Sequence, residues 1–444
     1  MSDESILPFL SQFDPPEQAE GSLDPLGLYA IADALGVRLA PGVRERQSKP
    51  RYLTLALVGM VACGDETLGK GDKNPLPPWL VYEWLVVESL VRQLRGTPEL
   101  QGIPGRDKVM STIDAKDVVC MRTYLKTPTV FGFHGIYRVL GVKTGLFDAE
   151  GHPLEQGFRV ITAWQADQGL KGLLEGHGPG LEFRRALQRE VRSGLSEGHT
   201  RDPGTALRKL IADHLSPHAP GPRESDALWL GLTQNDALRG EYASQLTSME
   251  GQDVWTASGG SESTYHTWLK SHASQPMRQL LKAIRSFERL ARMLTDAFDE
   301  SRYRMTQERQ PVQLNWLAQG DSVQVASAGC LAAYGEVLMD LGEIDPTLRM
   351  RFERSFQWIG EVSGAASFAA LLFEHHNKIQ KGKPPNGKRA WYDTFGDGRV
   401  AIRPAYTVDE FAPKPEAYVQ AYRTKPISSF ARDLGRVAAN SGEA

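Results

Sequence analysis

The sequence contains few cysteines and no long apolar segment. Cys63, Cys120 and Cys330 are the three cysteines in 444 residues, and they lie far apart. They form neither a disulfide framework nor a zinc-binding spacing, which fits a reducing cytoplasm. No apolar run reaches the ~18 residues of a membrane span. The acidic start MSDESILPF lacks the basic region of a secretory signal. The sequence therefore predicts a cytoplasmic protein without a membrane partner.

Catalytic and nucleotide-binding motifs are also lacking. Residues 64–71, GDETLGKG, nearly spell a P-loop, but Gly71 stands where the magnesium-binding hydroxyl belongs. Pro75, Pro77 and Pro78 follow, so no helix can begin where a P-loop needs one. We expect an exposed loop at this place, no cofactor and no enzymatic activity. A nuclease built on C-terminal histidines and lysines is the less favoured alternative, because nuclease centres usually need clustered carboxylates to hold magnesium.

Acidic residues are absent from residues 118–146, VVCMRTYLKTPTVFGFHGIYRVLGVKTGL. The net charge of the chain is −3, so any surface for nucleic acid must be local. Each carboxylate would repel phosphate, and their absence here favours contact with nucleic acid. The residues predicted to make that contact are Lys126, Thr129, His134, Arg138 and Lys143.

The same region predicts a winged helix-turn-helix. Residues 114–125 have helical spacing, and a proline-containing interruption follows. A second helix is predicted to begin near residues 131–133 and to end at Gly141 or Gly145. Residues 146–164 combine turn chemistry with strand-forming side chains and predict a β-hairpin, the wing. Such units also serve as protein-docking modules or as scaffolding, and this alternative stays open.

Residues 181–195 predict a basic helix. Most of its arginines lie three or four residues apart and share a face. This face is either solvated or a second contact for nucleic acid, and its arginines are Arg184, Arg185, Arg189 and Arg192. The proline-rich residues 214–222 predict a linker.

The fold class predicted is mainly α with small β elements: an N-terminal winged helix-turn-helix-like domain and an irregular C-terminal helical domain. Hydrophobic residues make up 41% of the chain, enough for a core. Helical patterns are clearest at 79–94 and along an apolar stripe at 276–305. The predicted ranges are a flexible acidic tail at 1–23, the N-terminal helical and winged-helix domain at 24–170, the basic helix and linker at 171–225, a helical domain at 226–380 and a basic-aromatic extension at 381–444.

The C-terminal region is basic, with aromatic side chains at its end. From residue 375 to residue 403 there are seven Lys or Arg and two Asp. Basic residues interleaved with aromatics suit a phosphate track with stacking platforms, and a surface loop tied down by a packed Trp391 is an equal alternative. The candidate contacts are Lys378, Lys381, Lys383, Lys388 and Arg389. His375 and His376 are adjacent on a predicted helix, face different ways and are not expected to form a metal pair.

Three features of this region carry a resemblance: the double histidine, the run KPPNGKRAW at 383–391, and YVQAYR at 418–423. They resemble bacterial accessory proteins encoded beside helicase and nuclease components in anti-phage defence loci. The resemblance covers about fifty residues and carries over no active-site residue. It implies a cytoplasmic accessory protein whose partners, such as a helicase or a nuclease, carry out the catalysis. We therefore expect a DNA- or RNA-binding subunit of a defence complex. The alternative is a protein-interaction subunit that does not touch nucleic acid.

Overall fold

The computed structural model describes residues 24–64, 66, 75–218 and 220–437. The predicted tail at 1–23, most of the loop at 64–71 and residues 438–444 lie outside the described residues. Within the described part the chain is mainly helical with small sheets, as predicted. As far as it is described, it forms two compact units. Unit 1 comprises the described residues of the ranges Met1–Leu35 and Arg278–Gln420, and unit 2 comprises those of Gly36–Met277 and Ala421–Ala444. These limits fall at other positions than the predicted domain ranges, which remain predictions.

The helices of the described residues are α1 (Tyr29–Leu39), α2 (Tyr52–Cys63), α3 (Pro78–Gln93), α4 (Arg106–Asp114), α5 (Pro128–Phe131), α6 (Phe133–Lys143), α7 (Glu155–Asp167), α8 (Pro179–Glu197), α9 (Thr205–Leu215), α10 (Pro222–Gln234), α11 (Ala237–Thr247), α12 (Met249–Ala257), α13 (Glu262–His272), α14 (Gln275–Glu308), α15 (Leu314–Leu317), α16 (Asp321–Ile344), α17 (Pro346–Phe356), α18 (Ala365–Lys381) and α19 (Thr424–Asp433). The strands are β1 (Val119–Cys120), β2 (His199–Thr200), β3 (Val312–Gln313), β4 (Tyr392–Thr394) and β5 (Arg399–Ile402). β1 pairs with β2, and β3, β5 and β4 form an antiparallel sheet in that order.

Helix α3 is the centre of unit 2. It begins at Pro78, where a missing N–H is harmless because the first turn has no partner for it. Every residue from 80 to 91 is buried, and the helix packs against α2, α4, α6, α8 and α9. The core helix predicted at 79–94 is thereby confirmed. Two carboxylates, Glu83 and Glu88, are buried with it.

Helix α14 supplies the core of unit 1. The apolar stripe predicted along 276–305 lies on this helix and is buried, which confirms it. Its side chains follow the helical repeat, so that one face is continuously apolar. The buried members are Leu280, Leu281, Ile284, Phe287, Leu290, Leu294 and Phe298.

The first helix predicted for the helix-turn-helix is wrong. Asp114, its expected cap, is the last residue of α4, and β1 and a turn follow. The Thr123 hydroxyl donates to the Val118 carbonyl at 2.7 Å and accepts from the Cys120 N–H at 3.0 Å. These bonds give the backbone an alternative to helix, as threonine side chains often do.

The second predicted helix is confirmed as α6. One of its two predicted ends, Gly145, follows the C-cap residue Thr144 and has φ of +68°, the left-handed conformation that glycine adopts most easily. The other, Gly141, lies inside the helix. A Cβ there would be 2.0 Å from the Phe147 ring, so glycine allows this ring to pack closely.

The predicted wing is wrong. Residues 146–154 make a turn with an isolated bridge between Phe147 and Pro153, and α7 follows. Val160, Ile161 and Trp164 are buried together on one face of α7. Burial at this helical spacing outweighs the preference of β-branched side chains for strands. The residues described here therefore do not form a winged helix-turn-helix.

The proline-rich segment between α9 and α10 lies within unit 2 and is held by Arg51. The guanidinium Nε of Arg51 lies 3.2 Å from both carboxylate oxygens of Glu224. Its other nitrogens donate to the carbonyls of His214, Ser216 and His218 at 2.6–3.2 Å. Both side chains of the ion pair are almost fully buried. The polar groups of the guanidinium are thus matched, which a buried charge requires.

Candidate nucleic-acid interface

Three of the predicted C-terminal residues, Lys381, Lys388 and Arg389, line one pocket in unit 1. The pocket has a volume of about 440 Å³ and is formed by the end of α18, the loop after it and strand β4. Asn377 and Asn386 add side-chain amides to its lining. We call it the basic pocket. Its cations and amides are the kinds of group that contact phosphate oxygens in nucleic-acid complexes.

The loop between α18 and β4 folds back on the end of the helix. The backbone N–H of Lys388 donates to the Gln380 carbonyl at 2.8 Å, and that of Gly387 donates to the Lys383 carbonyl at 2.7 Å. Gly387 has φ of +78°, and a Cβ there would lie 2.8 Å from the Lys381 carbonyl oxygen. Both the positive φ and the close approach of this carbonyl oxygen therefore require glycine at position 387. This turn brings the two residues after Gly387 beside the last turn of α18.

Lys383 has a different role from its basic neighbours. Its Nζ donates to the Asp24 carbonyl at 2.8 Å, and partial burial lowers the pKa of this ammonium. The residue links the loop to the start of the described chain and is not part of the pocket lining. Lys378 is exposed on α18, also outside the lining. The predicted basic track is thus divided among residues that line the pocket, Lys383 with its structural contact, and the exposed Lys378.

His376 anchors the same loop. Its Nδ1 lies 2.9 Å from the Pro25 carbonyl oxygen, and its Nε2 accepts the Trp391 N–H at 3.0 Å. One ring nitrogen donates and the other accepts, so the imidazole is neutral. Burial accordingly lowers the pKa of His376 to about 3. His375 places its Nε2 2.8 Å from the Leu26 carbonyl oxygen. Both histidines therefore hold backbone groups of unit 1 together.

Trp391 is packed in the core of unit 1 and is not a stacking platform. Its ring is 6% exposed and lies parallel to the Tyr406 ring at 4.7 Å, with the Arg302 guanidinium 4.8 Å from its centroid. Phe395, which follows β4, is 43% exposed. Sequence reasoning missed Phe395, because nothing in the spacing of the aromatics separates a packed ring from an exposed one.

The predicted N-terminal residues do not lie together. Thr129, His134 and Arg138 line a second cavity, which belongs to unit 2. Lys126 and Lys143 are exposed and are not among its lining residues. Three of the five side chains predicted to contact phosphate therefore line a cavity, where the sequence predicted a continuous phosphate-contacting surface.

The basic helix α8 is confirmed, and its arginines differ in what they contact. Arg185 and Arg189 are exposed. Arg184 is half-buried and donates to the Leu173 carbonyl at 3.4 Å. Arg192 pairs with Glu66 at 2.7 Å. Two of the four arginines are therefore engaged within the protein, and Arg185 and Arg189 remain the candidates on this face.

Glu83 is a buried acid that sequence reasoning did not single out. Its carboxylate accepts the Tyr124 hydroxyl at 2.9 Å and the His134 N–H at 2.8 Å. Burial raises the pKa of Glu83 to about 7. A buried carboxylate with a raised pKa next to a cavity is a recognised sign of a functional region. Its partners lie 41 and 51 residues away in the sequence, so no local pattern could reveal them.

In comparisons with known proteins, no model of a protein family, no curated protein and no solved structure matches this chain. None of the helices described is long and apolar enough to cross a membrane. Across residues 24–64, 66, 75–218 and 220–437, no three His, Cys, Asp or Glu side chains are grouped as they would be to hold a metal ion.

Proposed function

We propose that the protein binds nucleic acid through phosphate contacts made in the basic pocket. The observation that carries this proposal is the convergence of Lys381, Lys388 and Arg389 on one concave surface. Asp393 is the one carboxylate among the described lining residues, and it pairs with Arg389 at 2.8 Å. Three cations against one carboxylate leave an excess of two positive charges, which favours an anionic ligand.

The side chains, and not the helix end, supply the attraction. The C-terminus of α18 carries partial negative charge on its last carbonyls. Two of these carbonyls already accept hydrogen bonds from backbone N–H groups of the loop. The Lys378 carbonyl accepts from Gly382 at 3.1 Å, and the Gln380 carbonyl accepts from Lys388 at 2.8 Å. A phosphate in the pocket would thus meet ammonium, guanidinium and amide donors. Arginine offers a planar fork and lysine a point charge, and both are common phosphate contacts.

The resemblance of the C-terminal region to accessory proteins of anti-phage defence loci supports a cellular role for this nucleic-acid binding. We propose a non-catalytic, cytoplasmic DNA-binding subunit of a multiprotein anti-phage defence complex, with RNA as the other substrate class. In that role a helicase or nuclease partner would carry out the chemistry. A protein-interaction subunit without nucleic-acid contact is the competing function, and the following experiment separates the two.

The test is a salt titration of binding to a duplex and to a single strand. The variant Lys381→Ala/Arg389→Ala removes two pocket cations. Each lost phosphate contact should flatten the plot of log affinity against log salt by roughly 0.9 for duplex DNA and roughly 0.7 for a single strand. The matched control is Arg351→Ala/Arg354→Ala, which removes two exposed cations from α17 of the same unit.

For the pocket variant we expect the slope to fall by almost two with the duplex and by roughly 1.4 with the single strand. For the control we expect no change. Equal slopes for wild type and both variants would contradict the proposal. Absence of binding to either nucleic acid at low salt would also contradict it and would favour the protein-interaction function. Lys383 is left unchanged, since its contact with Asp24 makes it a structural residue.

A further inference from the structure

The cavity of unit 2 that contains His134 has an aromatic wall. The rings of Trp79 and His134 are stacked, with centroids 4.5 Å apart and planes 15° from parallel. The cavity measures about 360 Å³, at the lower end of the roughly 300–1,000 Å³ of small-molecule pockets. Met60, Tyr82 and Phe133 give it further apolar surface. We call it the aromatic cavity.

A cation stands one helical turn from the aromatic wall. Arg138 follows His134 by four residues on α6, and both line the aromatic cavity. The Arg138 guanidinium donates to the Ala149 carbonyl, which fixes its position next to the turn at residues 148–152. A guanidinium has five N–H donors. The same group can therefore hold its turn and still bind an anion.

The cavity lining also contains carboxylates, and these oppose the positive charge of Arg138. Glu66 lines the aromatic cavity but pairs with Arg192 at 2.7 Å. Glu150 lines it from the exposed turn, and His152 of the same turn pairs with Asp148 at 3.1 Å. The charges of the described lining residues are therefore close to balanced, and these residues provide acceptors as well as donors. A fully apolar molecule would leave the remaining donors and acceptors of these groups unmatched.

The His134 ring is held in a neutral state suited to stacking. Its backbone N–H is fixed by the buried Glu83 carboxylate at 2.8 Å. Burial lowers the pKa of the imidazole to about 4. A neutral imidazole has one donor and one acceptor nitrogen, and within the described residues no hydrogen-bond partner of the ring is found. It can stack on a planar ligand and hydrogen-bond to its edge.

From these contacts we infer that the aromatic cavity binds a nucleotide. The base packs against the Trp79–His134 wall, and the phosphate is bound by Arg138. A nucleotide matches each feature: a planar ring for the wall, donors and acceptors on the base edge for the polar rim, and one anionic group for the guanidinium. The source is either a free nucleotide or one residue of a nucleic-acid strand. The site is separate from the basic pocket and does not depend on it.

The experiment is isothermal titration calorimetry of the full chain with adenosine 5′-monophosphate, adenosine, ribose 5-phosphate and the trinucleotide (dA)₃. We expect the monophosphate to bind and ribose 5-phosphate not to. Trp79→Leu and His134→Ala should each weaken binding by roughly 5- to 150-fold, the range found for base stacking on an aromatic side chain. Phe158→Ala, which removes an exposed ring of unit 2 outside the cavity lining, is the matched control and should bind like wild type.

Arg138→Gln tests the phosphate contact. It should weaken the monophosphate by roughly 10-fold or more, the scale of a hydrogen bond to a charged group, while adenosine binds as before. Lys108→Ala removes an exposed cation from α4 of the same unit, outside the cavity lining, and should change the affinity for neither ligand. In the Lys381→Ala/Arg389→Ala background, which removes two cations of the basic pocket, tighter binding of (dA)₃ than of the monophosphate would assign the site to a strand, and the reverse order to a free nucleotide.

Three results would overturn the inference: no binding of monophosphate or (dA)₃ at millimolar concentration, equal binding of ribose 5-phosphate, or unchanged affinity in folded Trp79→Leu and His134→Ala. If Trp79→Leu loses its melting transition, His134→Ala decides, because the backbone N–H that binds Glu83 remains. The basic-pocket variant Lys381→Ala/Arg389→Ala should keep wild-type affinity for the monophosphate. Failure of this inference and failure of the proposed function are therefore distinguishable.

Discussion

Replacing Glu83 by glutamine should make unit 2 more stable above neutral pH. The carboxyl group is fully buried, and burial raises its pKa from 4.5 to about 7. The native state therefore binds this proton more tightly than the unfolded chain does. Linkage then requires that stability falls as pH rises from about 4.5 to about 7 and is level beyond. The difference of about 2.5 pH units corresponds to ~3 kcal/mol at 1.36 kcal/mol per unit.

A glutamine amide can keep both contacts of the carboxylate. Its oxygen can accept the His134 N–H, and its NH₂ group can donate to the Tyr124 hydroxyl oxygen. Glu83→Gln should therefore match wild type near pH 4.5 and exceed its stability by up to ~3 kcal/mol at pH 8. Native-state hydrogen exchange of α3 and α6 amides between pH 5 and pH 8 measures this locally. It does not require the two units to unfold as one.

Glu88→Gln on the same helix is the matched control with the opposite sign. Glu88 is also buried, but it pairs with Arg92 at 2.7 Å and accepts the Thr200 hydroxyl at 2.9 Å. Removing its charge should destabilise unit 2 at neutral pH, since Arg92 loses the nearer of its two carboxylate partners and keeps only Asp202 at 3.9 Å. A Glu83→Gln variant that is less stable than wild type at pH 8 would refute the reasoning. So would an advantage of the same size at every pH.

Three further predictions concern stability. Arg51→Met should lower the free energy of unfolding by about 3–5 kcal/mol in chemical denaturation, because it leaves the Glu224 carboxylate buried without its cation. The double variant Arg51→Met/Glu224→Leu should recover part of this loss. No recovery would contradict the pairing argument. Gly141→Ala should lower the melting temperature, since its Cβ would overlap the Phe147 ring, at a cost of about 1–3 kcal/mol; Gly335→Ala, where no atom lies within 4 Å inside α16, should instead raise it, and the same sign for both would be the failing result. His376→Phe should destabilise unit 1, because the Trp391 N–H loses its partner and the Pro25 carbonyl keeps only the Gln380 amide at 3.5 Å. Hydrogen exchange at Trp391 that stays as slow as in wild type would argue against this.

The sequence predicted those helices whose apolar residues recur at helical spacing. The stripe on α14 and the buried run of α3 were visible because their information is local. The same rule could have identified α7, where Val160, Ile161 and Trp164 occupy one helical face. We predicted a strand because β-branched side chains and nearby turn residues were given more weight than this spacing. Strand propensity yields when tertiary packing buries the helical face.

The two candidate sites differ in the same way: the basic pocket comes from one short segment of the sequence, and the aromatic cavity does not. The basic pocket is built from residues 377–394, so its charge pattern could be read in one short segment. The sequence could not show which of these lysines makes a structural contact, because the partner of Lys383 is Asp24, 359 residues away. The aromatic cavity depends on Trp79 meeting His134 and on Glu83 beneath them. Only the packing of α3 against α6 brings these residues together, and no pattern in the sequence encodes it.

The contacts between the two histidines of α18 and the first described residues have a consequence for biosynthesis. His375 and the Leu26 carbonyl it meets are separated by 349 residues. At about 5–20 residues per second, a ribosome needs roughly 20–70 s to deliver the second partner after the first. Unit 2 likewise takes in residues after Arg423. A nascent chain stalled before α18 would therefore hold both units incomplete, with backbone carbonyls and apolar faces open to chaperones. This topology couples the completion of both units to the arrival of the last part of the described chain.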